Sequence, residues 1–174
     1  MEMKRLMLCG AFVLGMLPVL SQAGDTQFSV EMFYGTCPVS VFVEGNVKNV
    51  VQLGTVPPGG VGETKTFSIK ATDPTSLYCK WYAETGRSAV FLFTSGDLNS
   101  DGLANYNDSE DGSFVKISPA NGIKSDPVTS KNKFAKFTID KINVEGFRFN
   151  TALHGGHKAG SFRGAITYSV SYPY

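Results

Sequence analysis

The chain is short of the residues that most chemistry requires. It has one tryptophan, two histidines and three cysteines in 174 residues, and its formal net charge is only +1. No basic run stands out, and a near-neutral chain is a poor ligand for nucleic acid, whose binding depends on counterion release. There is no Gly-x-Ser-x-Gly elbow and no phosphate-cradling glycine motif. A nucleophile–His–acid arrangement could draw only on His154 and His157. These two flank a glycine pair and have no third ligand near them in sequence, whereas catalytic zinc needs three. The chain is therefore expected not to be an enzyme, and it needs no cofactor.

Long apolar runs are also missing, apart from one at the N-terminus. Lys4 and Arg5 precede an apolar stretch over residues 6–20 that is broken by Gly10, Gly15 and Pro18 and followed by Ser21-Gln22-Ala23. That pattern is a secretory signal with cleavage after Ala23, too short and too broken for a spanning helix. Cleavage discards Cys9, and residues 24–174 remain as one domain with 14 basic and 14 acidic groups. Cys37 and Cys79 are then the only cysteines, and an exported chain is expected to bridge them. Closing that loop removes roughly 4 kcal/mol of denatured-state entropy on the chain-entropy model.

What the sequence does have is alternation. Val, Ile, Phe, Tyr and Thr recur with period two over residues 27–34, 39–43, 50–55, 64–70, 88–93, 114–118, 134–139, 144–152 and 162–172. Gly, Pro, Asn and Asp clusters separate these segments, and helical periodicity is almost absent after the signal. Many short strands at this spacing predict an all-β sandwich or barrel. The last segment is the clearest. Phe162, Gly164, Ile166, Tyr168, Val170 and Tyr172 form one face, while Arg163, Ala165, Thr167, Ser169 and Ser171 form the other. It reads as a core strand, or as a strand that also recruits another chain by strand addition. The first segment has the same habit, with Phe28, Val30, Met32 and Tyr34 on one parity.

Order and spacing carry a family resemblance. A first strand runs into Cys37; Val50-Val51-Gln52-Leu53-Gly54-Thr55-Val56, Phe67-Ser68-Ile69 and Cys79 follow. Next come Ala89-Val90-Phe91-Leu92-Phe93, Asp97 with Leu103-Ala104, and residues 154–162 leading into the last strand. This series resembles the type 1-like pilins, the chaperone–usher fimbrial subunits. The resemblance implies an incomplete immunoglobulin-like β-sandwich completed by a donor strand from a partner. Gly160, Phe162, Ile166, Tyr168, Val170 and Tyr172 would border the open groove and pair with a periplasmic chaperone, then with another subunit. It implies a structural subunit of a surface fimbria that supports cell adhesion, exported through the periplasm and delivered by an outer-membrane usher. The alternative is a tip or minor subunit that acts as an adhesin on a host-cell glycan or protein receptor.

Two features depart from the family pattern. Members of the family commonly have the tyrosine next to last; here Pro173 and Tyr174 follow Tyr172, so the chain runs one residue longer. Only 13 residues lie between the expected cut and Cys37, which leaves almost no room for a separate donor extension. Either residues 24–34, with Phe28, Val30 and Met32, act as both first strand and donor, or the subunit does not donate and sits at the tip of its fibre.

Two further features invite chemistry. Residues 97–108 match a calcium loop, with Asp97, Asn99, Asp101 and Asp108 as oxygen ligands and Gly102 at the sharp turn. The flanks are strand-like and lack the helices that rigidify such loops, so a solvated turn is the preferred reading. Trp81, Tyr82 and Tyr106 could stack on sugars; for Trp81, core packing against the disulfide is the simpler expectation.

Overall fold

The computed structural model describes residues 22–30 and 37–173. In chain order the elements are β1 (Gln22–Val30), β2 (Val39–Val43), β3 (Asn46–Val47), β4 (Val50–Val56), β5 (Lys65–Ala71), α1 (Leu77–Glu84), β6 (Ser88–Thr94), β7 (Leu103–Ala104), β8 (Phe114–Pro119), β9 (Phe134–Thr138), a 3-10 turn at Ile139–Asn143, β10 (Phe147–His154) and β11 (Phe162–Ser171). Among the described residues these strands build two sheets, ordered β4-β1-β11-β6-β9 and β3-β2-β5-β10-β8-β7. The architecture is the expected all-β, immunoglobulin-like sandwich.

Alternation produces the sandwich directly. In β6, Ala89, Phe91 and Phe93 point inward, and in β10 Phe147, Phe149 and Thr151 do the same. The two sheets meet through aromatic rings. Phe91 lies edge-on to Phe137, Phe147 and Phe149 at centroid distances of 5.6, 5.1 and 5.8 Å. Phe149 also stacks on Phe67 at 5.2 Å. Each such pair adds about 0.5–1.5 kcal/mol beyond the area it buries. The core is thus assembled from β5, β6, β9, β10 and β11.

Helix α1 was not expected. Only Cys79 of its eight residues is buried, while Leu77 and Tyr78 are exposed, so no amphipathic pattern announces it. Tertiary anchors hold it instead. The Asp73 carboxylate accepts the Thr75 N–H at 2.9 Å just ahead of it, Asn143 Nδ2 donates to the Cys79 carbonyl at 3.0 Å, and the Cys37–Cys79 bridge ties it to the start of β2. The expectation for Trp81 is corrected here. Its side is half exposed, edge-on to Tyr82 at 4.9 Å, with the Arg87 guanidinium over the ring at 5.3 Å. Tyr82, one residue on, takes the inward position and packs on Tyr172 at 4.7 Å. A helical step of 100° between neighbours explains the exchange.

Smaller revisions concern boundaries. The segment expected at residues 144–152 begins only at Phe147, because Ile139–Asn143 closes a 3-10 turn first. The first strand starts earlier than residue 27, and residues 31–34 of that expected segment lie outside the described residues.

The end of β11 is pinned to the disulfide. Tyr172 OH donates to the Cys37 carbonyl at 3.1 Å, and burial pushes the phenol above its ordinary pKa. Replacing Tyr172 with Phe leaves a buried carbonyl unpaired and is expected to cost about 1 kcal/mol. Tyr106→Phe, on an exposed ring, is expected to change stability by less than about 0.5 kcal/mol. Urea denaturation of the two variants checks the difference.

Candidate functional site

The place where the resemblance leaves a groove is the edge of β11, and it is built outward from that strand. β6 pairs antiparallel with one edge of β11, from Thr167↔Thr94 to Ser171↔Val90. The other edge does not stand open. β1 of the same chain lies along it in parallel, from Gly24↔Phe162 to Val30↔Tyr168. Its far edge pairs antiparallel with β4, with an irregularity between Gly24 and Asp25. In this chain the slot that the resemblance leaves for a partner is occupied by its own first strand. The physical reason is that an unpaired strand edge beside an apolar floor is costly, and β1 satisfies both.

The residues expected to border the groove divide by position. Phe162, Ile166, Tyr168 and Tyr172 are buried, Val170 is partly so, and Gly160 is exposed two residues before β11 begins. Of the expected donor residues, Phe28 is buried with its ring 4.5 Å from that of Phe67. Val30 closes the ladder opposite Tyr168, and Met32 lies outside the described residues.

β1 is poorly matched to this slot. Its described inward positions are Gly24, Thr26 and Phe28, and the Thr26 hydroxyl is buried with no hydrogen-bond partner. The Tyr168 hydroxyl on β11 is likewise buried and unpartnered. Each such group forfeits about 1–3 kcal/mol. The strand is better joined elsewhere, since the outward Ser29 and Thr167 hydroxyls meet at 2.8 Å and the Phe28 N–H donates to the Asn49 carbonyl at 2.8 Å just beyond the β4 ladder.

The beginning of β11 is fixed by a side chain that sequence reasoning placed only as one position of a calcium-like loop. Asn105 is buried; its Oδ1 accepts the Arg163 N–H at 3.1 Å, and its Nδ2 donates to the Ser161 carbonyl at 3.0 Å and to Asp111 Oδ2 at 3.1 Å. No local pattern marks an asparagine for such a role. The same loop explains where the proposed calcium ligands go. Asn99 Oδ1 accepts the N–H groups of Asp101 and Gly102 at 2.8 and 2.9 Å. Asp108 pairs with Lys158 at 2.7 Å, and that hydrogen bond holds its carboxyl below the usual range. Gly102 is required because a Cβ there would come within 2.4 Å of the Val115 carbonyl oxygen. Among the described residues, no three His, Cys, Asp or Glu side chains gather into a metal site. His154 stacks on Phe114 at 4.4 Å, and burial, helped by the charge of Lys116, lowers its pKa.

No protein-family model matches the chain. The chain is 31% identical over 173 residues to the F107 fimbrial protein of Escherichia coli, an alignment covering 98% of this chain and 99% of that one.

The mismatch of β1 can be measured. Thr26→Val removes the stranded hydroxyl while keeping the shape, and is expected to stabilise the chain by about 1 kcal/mol. Phe28→Ala opens a cavity in the core and is expected to destabilise it by about 3 kcal/mol. Denaturant midpoints for the two variants should move in opposite directions.

Proposed function

The chain belongs to the fimbrial subunit family, and from that premise we propose that it is a non-enzymatic structural subunit of a bacterial surface fimbria, assembled by donor-strand complementation and supporting cell adhesion. The observation that carries this reading is the seat of β1. A central strand of the sandwich is completed by a segment with one large apolar side chain at its three inward described positions and an unsatisfied hydroxyl. Such a segment holds the fold closed and yields the slot to an incoming strand. The occupants proposed for the vacated slot are first a periplasmic chaperone and then another fimbrial subunit delivered at an outer-membrane usher.

The export reading fits the same ladder. Residues 1–23 act as the signal, and residues 24–174 form the single subunit domain. Pairing with β11 starts at Gly24, so removal of the signal leaves that ladder whole. With so short a lead to Cys37, the proposal has residues 24–34 serve both as first strand and as donor. Once released from its own β11, β1 is free to complete a neighbour.

In cells that express it, the chain should appear by immunogold electron microscopy in surface fibres that dissociate only on heating in detergent. Finding it solely as a free periplasmic monomer overturns the assignment. A strand lock probes the mechanism. Ser29 and Thr167 face one another across β1 and β11, so the double variant Ser29→Cys/Thr167→Cys is placed to bridge the two strands. The oxidised double variant is expected to be absent from fibres, whereas either single variant is incorporated. Incorporation of the locked chain at the wild-type level sinks the idea that β1 vacates its seat.

A further inference from the structure

Helix α1 turns an apolar face to solvent. Leu77 is 83% exposed, Tyr78 61% and Trp81 50%. Residues three and four apart on a helix are neighbours, so Leu77 and Tyr78 each meet Trp81 and the three form one patch. Val144 is exposed as well, and it follows the Asn143 that bonds the helix. A contiguous apolar patch on a surface marks a place where something else packs.

The patch stands on a rigid support. Behind it Cys79 is buried and bridged to Cys37, and Tyr82 lies 4.9 Å from the Trp81 ring and 4.7 Å from that of Tyr172. The Arg87 guanidinium sits over the Trp81 ring at 5.3 Å. Trp, Tyr and Arg held on a fixed backbone are the residues that dominate protein–protein contacts. The nearby charges of Lys80, Glu84 and Arg87 are of both signs, so the patch does not select a polyanion or a polycation.

The covalent path names the occupant. Six residues separate Val30, the last of β1, from Cys37, and the Cys37 and Cys79 Cα atoms are 4.7 Å apart. Seven fully extended steps reach about 25 Å. A β1 strand donated from this anchor therefore ends within about 25 Å of α1. A domain of this size is roughly 40 Å across. The copy that takes β1 is thus tethered directly against this end of the molecule. Helix α1 keeps its place when β1 leaves, because its anchors, Cys37, Asn143 and Tyr172, all lie outside β1.

We propose that the exposed face of α1, formed by Leu77, Tyr78 and Trp81, is a docking surface for a second copy of this chain, the copy that receives β1. The inference rests on the proposed donation of β1 and adds the surface on which the two copies meet. Strand exchange supplies the backbone ladder, and the α1 face fixes how the donor sits on its neighbour.

The test uses the full chain in fibres, with the strand-locked Ser29→Cys/Thr167→Cys monomer as reference. A photo-reactive benzoyl-phenylalanine in place of Tyr78 is expected to capture a second copy in fibres, giving a detergent-resistant ladder on illumination, and to capture none in the locked monomer. The double variant Leu77→Ser/Tyr78→Ser should lower incorporation into fibres about fivefold or more, with the urea midpoint of the locked monomer unchanged. If that variant unfolds, the cross-link alone decides. The proposal fails if illumination gives no ladder, if the cross-link captures only a chaperone, or if the folded double variant assembles at the wild-type level. Fibres that assemble without a cross-link from Tyr78 defeat this surface and leave the subunit role standing. A wild-type chain that never enters fibres defeats the subunit role and this surface with it.

Discussion

β11 lies inside its sheet, and a strand in that position needs a neighbour on each edge. Nearly everything distinctive in the molecule follows from how the second edge is filled. β6 takes one side and belongs to the aromatic core through Phe91 and Phe93. The other side falls to β1, which reaches across the molecule from the chain's other end. Removing β1 would open two edges at once, those of β11 and β4, and would uncover Phe67, Ile166 and their neighbours. Backbone groups so exposed form a template for any passing strand. The same geometry thus makes the chain self-sufficient when closed.

The rest of the sandwich does not lean on β1 in this way. The ring cluster of Phe91, Phe137, Phe147 and Phe149 is contributed by β6, β9 and β10. The Cys37–Cys79 bridge and the Tyr172 hydroxyl tie α1, the start of β2 and the end of β11 into one corner. Asn105 fixes the other end of β11. Both ends of β11 are therefore held by groups outside the slot that β1 fills.

The sequence made the strands legible because alternation and burial coincide: every even residue from Phe162 to Tyr168 is buried, and Arg163 and Ala165 are exposed. The two cysteines could be paired for want of any other partner. What could not be read was set by tertiary contact. α1 has no apolar stripe, so its existence depends on the bridge and on Asn143. Trp81 and Tyr82 look interchangeable in sequence, and only the helix turn decides which faces Tyr172. For the site, Phe28, Phe162, Ile166 and Tyr168 were visible as one-sided apolar strands. That the first of them would lie against the others in the same chain was not, because pairing between distant strands leaves no local mark. Thr26 illustrates the limit: as a β-branched residue it suits a strand, and its misfit appears only once its hydroxyl has no partner.

Magnitudes decide how firmly β1 holds its seat. Among its described residues the favourable terms are a ladder on each edge, the Ser29–Thr167 hydroxyl pair and the burial of Phe28, the last worth about 1.5–3 kcal/mol. Against these stand the stranded Thr26 hydroxyl, at about 1–3 kcal/mol, and a parallel ladder to β11, which is slightly weaker per residue than an antiparallel one. A strand with a branched apolar residue at the Thr26 position gains about 1.5–3 kcal/mol by burial and sheds the hydroxyl penalty as well. At the Gly24 position the room is smaller, since a Cβ there meets Leu153 Cδ2 at 3.0 Å, but that atom ends a side chain that can turn aside. The backbone ladders nearly cancel between the two occupants, so inward side chains set the preference. On that reckoning β1 is a closing strand of middling fit, strong enough to hide the slot.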